Sequence, residues 1–176
     1  DAETPHPEPS DVAALIGERI GAWAALAAEQ QVMLQADAAD PAYALVTAGC
    51  IEQVIDNLLA NALEVSPRGS TVVVSASNSA PWIEVHVMDE GPGMTPDQRR
   101  RAFDRMWRAQ GSGDGTGLGL SIVHRLVVAD GGQVALHEAP GGGIDAVVRL
   151  REAPAPPAQP SRRHAAAPAL APIRSS

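Results

Sequence analysis

Lysine is absent from this sequence of 176 residues, and all 13 basic residues are arginine. Acidic residues outnumber them at 21, for a net charge of −8 at neutral pH. A chain with that balance repels a phosphate backbone, which excludes general nucleic-acid binding. Cysteine is nearly absent too. Cys50 alone excludes an intrachain disulfide framework and any zinc site built on cysteines. Aromatic residues make up only 3% of the chain, so the core has to come from Val, Leu, Ile and Ala. No apolar run approaches the roughly 20 residues of a helical membrane span. The acidic, proline-broken start lacks the charge pattern of a signal peptide. What remains is ordinary for a globular domain: 45% apolar and 19% charged residues suffice for a buried core, and the length suits one domain. The expectation is a soluble domain of a reducing compartment, either free or part of a membrane-anchored protein.

The ends differ from the middle. Residues 1–9 (DAETPHPEP) hold three prolines and three acids and read as a linker or frayed N-terminus. From Glu152 onward, six of the 15 prolines fall in a stretch with almost no large apolar side chain, which reads as a disordered Pro/Ala-rich tail over 152–176. The folded block is therefore expected within 10–151, and no internal repeat divides it. Val12, Leu15, Ile16, Ile20, Trp23 and Leu26 recur at helical spacing behind a Ser10-Asp11 cap, predicting a helix to about Gln30. Val32–Gln35 is a short strand candidate. Ile51, Val54, Ile55, Leu58 and Ala62 stripe a second helix from about Gly49 to Val65. Thr71–Ser77 and Trp82–Met88 alternate as a hairpin. Pro96–Arg105 reads as a short helix with proline near its start. Gln110–Gly117 is a glycine-rich loop, and Leu118–Ala129 a buried helix. Gln133–Glu138 and Ile144–Leu150 form a second hairpin around Pro140-Gly141-Gly142-Gly143. The pattern predicts an α+β fold: a two-layer α/β sandwich with a mixed, mostly antiparallel sheet of about five strands and three main helices on one face.

Four motifs carry candidate chemistry. On the second helix, Asn57 and Asn61 are spaced i,i+4 and share a face with Gln53 and Glu64. Asn is a poor interior helix residue, and an amide oxygen is a suitable hard ligand for Mg²⁺; two asparagines on a solvated face are the competing reading. Asp89-Glu90-Gly91-Pro92-Gly93-Met94 follows a strand. A carboxylate there can accept from an exocyclic amine such as that of adenine, and the glycines allow backbone to approach a flat ring; an ordinary strand-to-helix turn would look the same. In Phe103-Asp104-Arg105-Met106-Trp107-Arg108, the arginines are three apart and suited to bidentate phosphate contact, or else Phe103 and Trp107 pack and the arginines are solvated. Arg99-Arg100-Arg101 reads as an exposed helix face. Gly113-Asp114-Gly115-Thr116-Gly117-Leu118-Gly119-Leu120 runs into an apolar helix, where consecutive N–H groups make an anion site. It is neither a Walker loop nor a dinucleotide fingerprint.

The order and spacing of these four motifs resemble the N, G1, F and G2 boxes of the catalytic ATP-binding domain of bacterial sensor histidine kinases, within the group shared with gyrase and Hsp90-type ATPases. The resemblance covers about residues 10–151, and GTGLGLSIV is its most specific string. It implies a Bergerat-type ATP-binding fold, ATP and Mg²⁺ as cofactors, and a cytoplasmic setting, with no nucleic-acid partner and no direct membrane contact from this segment. Asn61 would bind Mg²⁺ with Asn57 beside it. Asp89 would bind the adenine amine, helped by Gly91 and Gly93. Arg105 and Arg108 would border a lid over about 97–114 and act in catalysis with Asn57, Arg108 reaching the terminal phosphate. Gly115, Gly117 and Gly119 would give the lid mobility and phosphate-facing amides, with Thr116 and Leu118 between them and Leu120 starting the helix below the nucleotide. Two departures stand out. Glu64 occupies a position where many family members carry Lys or Arg, and should weaken nucleotide binding. The dimerisation helices with their phosphoacceptor histidine are missing: none of His6, His86, His124, His137 and His164 precedes Asp, and only His137 precedes Glu, on an expected strand. The implied function is the ATP-binding domain of a two-component kinase, presenting the γ-phosphate of Mg·ATP to a histidine on a separate dimerisation domain, for onward transfer to a response regulator receiver domain. The alternatives on the same fold are an anti-sigma-factor-type serine kinase or partner-switching protein, against which the GTGLGL string and closing hairpin argue, and a non-enzymatic binding module.

Overall fold

The structure, a computed structural model, describes residues 5–38, 40–104 and 118–157. Five strands form one sheet in the order β2-β4-β5-β7-β6: β2 (Met33–Asp37), β4 (Thr71–Ser79), β5 (Trp82–Met88), β6 (Gln133–Glu138) and β7 (Ile144–Arg151). Only β2 runs parallel to its neighbour. The helices α1 (Val12–Glu29), α2 (Cys50–Val65) and α4 (Gly119–Ala129) cover one face, with the short α3 (Pro96–Arg101) near β6. This is the expected two-layer sandwich of α+β class with a mixed sheet.

The alternation read from the strands sorts their side chains as expected. Val72 and Val74, Ile83, Val85 and Val87, and Ala146, Val148 and Leu150 are buried beneath the helices. The opposite face carries charge: His86 Nδ1 lies 3.0 Å from both Asp145 oxygens, and Arg149 Nε donates to Glu84 Oε1 at 2.7 Å. The stripe predicted on α2 is buried in full, Ile51, Val54, Ile55, Leu58 and Ala62. On α1, Val12 and Ile16 are buried, but Leu26 is 40% exposed while its neighbour Ala27 is buried.

Two strands escaped the sequence reading. Glu8 and Pro9, assigned by composition to the entering linker, start β1 (Glu8–Asp11), which pairs antiparallel with β3 (Tyr43–Val46). Glu152 bridges Ala44, and the Ala153 amide donates to the Tyr43 carbonyl at 2.8 Å, so pairing continues past Arg151. The α1 cap is Asp11, the last residue of β1, whose Oδ1 accepts from the Ala13 and Ala14 amides at 3.1 and 3.3 Å. α3 ends at Arg101, earlier than the expected Arg105, and starts with a capping box between Thr95 and Gln98 with Pro96 in its first turn. The part of the expected tail beyond residue 157 lies outside the described residues.

Two polar clamps fix α2. On one side Trp23 Nε1 donates to Asp56 Oδ1 at 2.8 Å and Arg19 Nη1 to Asp56 Oδ2 at 3.1 Å, tying α1 to α2. At its start, the Thr47 amide and hydroxyl donate to the two oxygens of Asp130, at 2.8 and 2.7 Å, tying the end of α4 to the turn before α2. Beside that clamp the buried Cys50 thiol donates to the Leu126 carbonyl, and burial, with Asp130 nearby, pushes its pKa up to about 12.

Asp56→Ala removes the acceptor for two side chains on a half-buried seam, so it should cost about 1–3 kcal/mol in urea denaturation. Asp56→Asn retains an oxygen for Trp23 and should cost less. Equal stability of parent and alanine variant would show that α1 is held by apolar packing alone.

Candidate functional site

β5 delivers Asp89 to the edge of the core, where the chain leaves the sheet. Asp89 is 6% exposed. Its Oδ1 accepts from the Gly91 amide at 2.8 Å and from the Ile144 amide at 3.2 Å, while the Asp89 amide donates to the Ile144 carbonyl at 3.0 Å. Burial raises the carboxyl above its ordinary pKa, and the two amide bonds act in the other direction. The following glycines are required by contact. A side chain on Gly91 would meet Val65 at the end of α2, 2.9 Å away. Gly93 has φ +73°, and a side chain there would collide with the Gly142 carbonyl. Glu90 anchors the same segment by accepting from the Thr71 amide at 2.6 Å. Asp89–Gly93 is thus wedged between α2 and the β6–β7 turn.

The asparagines meet the start of α4. A Cβ placed on Gly119 would lie 3.3 Å from Asn57 Oδ1 and 3.6 Å from Asn61 Oδ1. Asn57 Nδ2 donates back to the Gln53 carbonyl at 2.9 Å, which turns its oxygen toward α4. Asn61 makes no hydrogen bond among the described residues. Among the described residues no side chain caps α4, and Gly119 sets its first turn and the positive end of its dipole beside the asparagines. Leu118 and Leu120 flank Gly119 and are half-buried. Glu64 lies on α2 beyond Asn61 and is exposed.

Of the residues expected to form a site, Asn57, Asn61, Leu118, Gly119 and Leu120 are brought to the start of α4, and Asp89, Gly91 and Gly93 to the end of β5. Arg105, Arg108, Gly115, Thr116 and Gly117 lie outside the described residues, as do residues 105–114 of the expected lid, while its residues 97–104 include most of α3. Phe103 packs tilted against His124 with ring centroids 5.7 Å apart. Arg99 donates to the Met94 carbonyl at 2.7 Å and Arg100 pairs with Asp97 at 2.9 Å, so both have local structural partners. The sequence reading missed Gly143 and Ile144; the signal available was the run of three glycines, which was read only as a turn.

A buried acceptor beside open backbone suits a base with an exocyclic amine, and uncapped amides suit phosphates. Two amide oxygens beside those amides suit a Mg²⁺ ion that arrives with phosphates and keeps water ligands. Among the described residues no cluster of three His, Cys, Asp or Glu side chains could hold a metal by itself. A groove between the starts of α1 and α2, lined by Leu15, Val46, Ile51 and Glu52 among others, lacks this set: its Asp11 is committed to capping, and Glu52 would repel phosphate.

The sequence profile of the histidine kinase-, DNA gyrase B- and HSP90-like ATPases matches residues 48–154. The sensor-like histidine kinase SenX3 of Mycolicibacterium smegmatis is 30% identical over 157 residues, covering 87% of this chain and 41% of that protein. The signal transduction histidine-protein kinase AfsQ2 of Streptomyces coelicolor is 37% identical over 111 residues, covering 61% of this chain and 20% of that protein. Among solved structures, the mycobacterial sensor histidine kinase MprB superimposes with a TM-score of 0.73 at 25% identity, covering 85% of this chain and 99% of that one. Full-length ShkA in complex with AMPPNP does so with a TM-score of 0.75 at 28% identity, covering 88% of this chain and 33% of that one. The chain therefore spans about two fifths or less of the length of these curated relatives.

The buried carboxylate has a cost that can be measured. Because the Asp89 carboxyl titrates above its ordinary value of 3.8, the folded state holds the proton more tightly than the unfolded chain. The stabilisation this gives is complete below the unfolded value and is lost as pH rises through the raised folded value. Asp89→Asn keeps an oxygen for the Gly91 and Ile144 amides and removes the buried charge. At pH 7 the variant should be at least as stable as the parent in urea, with the difference shrinking in acid. A clear loss of stability at pH 7 would show that the ionised form holds the fold together.

Proposed function

The chain belongs to the histidine kinase-, DNA gyrase B- and HSP90-like ATPases, and from that premise we propose that it is the ATP-binding catalytic domain of a two-component sensor histidine kinase. The observation that carries the reading is the pairing of a buried carboxylate at the end of β5 with an uncapped helix start faced by Asn57 and Asn61.

Asp89 accepts a hydrogen bond from the adenine amine, and Gly91 and Gly93 let the loop that carries it pack against α2 and the β6–β7 turn. The amides of Gly115, Gly117 and Gly119, with Thr116 and Leu118 between them and Leu120 behind, receive the phosphates at the start of α4. Arg108 meets the terminal phosphate, and Arg105 borders the lid with it. Asn61, with Asn57 beside it, holds the Mg²⁺ of the nucleotide. Bound there, the ion neutralises charge on the phosphates. The acceptor is a histidine on a separate dimerisation domain. Its ring nitrogen forms a bond to the γ-phosphorus as the bond to the β,γ-bridging oxygen breaks and ADP leaves. The phosphoryl group then passes to an aspartate of a response regulator receiver domain. This chain's share is positioning and electrostatics. The setting is cytoplasmic, where ATP is available. Among the described residues no helix is long and apolar enough to cross a membrane.

The chain alone should not label itself with phosphate from ATP, and should label a matching histidine domain supplied in trans. Asp89→Asn should abolish that transfer together with ADP binding. Strong acid-labile self-labelling of the isolated chain would overturn the division of labour, and acid-stable label on a serine substrate would move the chain to the serine-kinase alternative.

Glu64 adds a second expectation. At about 5 Å and an effective dielectric near 20, a carboxylate and a phosphate charge repel by about 3 kcal/mol. Rotation of this exposed side chain toward water reduces that to about tenfold in affinity or less. Glu64→Lys should tighten ATP more than adenosine in calorimetry, since only ATP presents the charge. Equal changes for both ligands would mean that Glu64 acts through the fold.

A further inference from the structure

We infer that the β6–β7 turn is the positioning element for base recognition: Gly143, by lacking a side chain, lets the Ile144 amide reach Asp89 Oδ1 and so fixes Oδ2 as the oxygen presented to the base. The inference rests on reading Asp89 as the adenine acceptor and adds what aims it.

Three observations carry it. First, the consecutive glycines of the turn have different reasons to be glycine. Gly141 and Gly142 have φ +96° and +103°, and a side chain on either would meet nothing within 4 Å, so they are needed for the shape of the turn. Gly143 lies outside the left-handed region, yet a side chain there would collide with the Asp89 carbonyl oxygen and reach within 2.8 Å of Oδ1. Its requirement is contact alone. Second, both hydrogen bonds to the carboxylate use Oδ1. One comes from Gly91 within the same loop, the other from Ile144, 55 residues away. Oδ2 receives no hydrogen bond among the described residues and is not among the fully buried unpartnered atoms, so it is the oxygen left to a ligand. Third, the turn holds the loop at two points, since Gly93 fits only beneath the Gly142 carbonyl. The Gly143 carbonyl in turn accepts from the Ala139 amide at 2.8 Å, which closes the hairpin behind Asp89.

Gly143→Ala should push the Ile144 amide off Oδ1 and let the carboxylate turn, while leaving the phosphate-binding start of α4 untouched. The readout is the preference for ATP over inosine triphosphate, which has the same phosphates but no exocyclic amine. In the parent chain ATP should bind more tightly. In Gly143→Ala, ATP affinity should fall by about tenfold or more and inosine triphosphate by less than about twofold, so that the preference disappears. Gly141→Ala strains the same turn without touching Asp89 and should keep the preference. A Gly143→Ala chain that still prefers ATP, or that loses both nucleotides equally, overturns the positioning role and leaves the adenine reading standing. A parent that does not distinguish the two nucleotides overturns the adenine reading, and the positioning role with it. Should Gly143→Ala fail to fold, the parent chain supplies the test by NMR. The Ile144 amide proton shift should follow the titration of the Asp89 carboxyl carbon, and a flat Ile144 response across that titration overturns the inference.

Discussion

The site depends on two backbone amides donated to a single oxygen of Asp89. A carboxylate that is almost fully buried has lost most of its water, and neutralises unless the protein replaces that water with donors. Here the donors are backbone, so they cannot rotate away. One of them belongs to a strand far along the chain. The carboxylate can keep this partner only if the β6–β7 turn and the loop after β5 come closer than side chains allow, which is why both are glycine-rich. The packing of β5 against β7 is thus also what orders the Asp89 carboxylate.

The second organising feature is α2, whose successive residues serve different neighbours. Residues about 100° apart around a helix point to different surroundings. Asp56 faces α1 and is held by Trp23 and Arg19; Asn57 faces α4; Leu58 and Leu59 are buried in the core. Rotating the helix to improve any one contact would spoil the others. The apolar stripe and the two clamps set the roll of α2, and that roll places the asparagine oxygens.

Much of this was legible from residue pattern. Long amphipathic helices and strands with strict alternation, such as α2 and β4–β5, announce their buried faces by period alone, and the spacing of the asparagines placed both on one side. β1 and β3 were not legible, because each is four residues long, β1 contains a proline, and their pairing is set by tertiary position. Of the expected Ser10-Asp11 pair it is Asp11, where β1 ends and α1 begins, that caps the helix. Leu26 fits the stripe of α1 yet is exposed, since period specifies a helix face but not which residues on it find a neighbour. Gly143 was read as turn punctuation because contact with a carbonyl 54 residues earlier in the chain leaves no local trace.

The placement of Cys50 has a consequence for the chemistry of the whole molecule. The sole thiol is sealed between α2 and α4, and its thiolate, the form that reacts with alkylating agents and oxidants, is suppressed by a pKa pushed up to about 12. While the two helices stay together, the domain is inert to thiol reagents and to crosslinking through sulfur. Modification speeds up when α4 separates from α2, so the rate at which this one sulfur reacts is a clock for the opening of the helix pair that brings Asn57 and Asn61 to the start of α4.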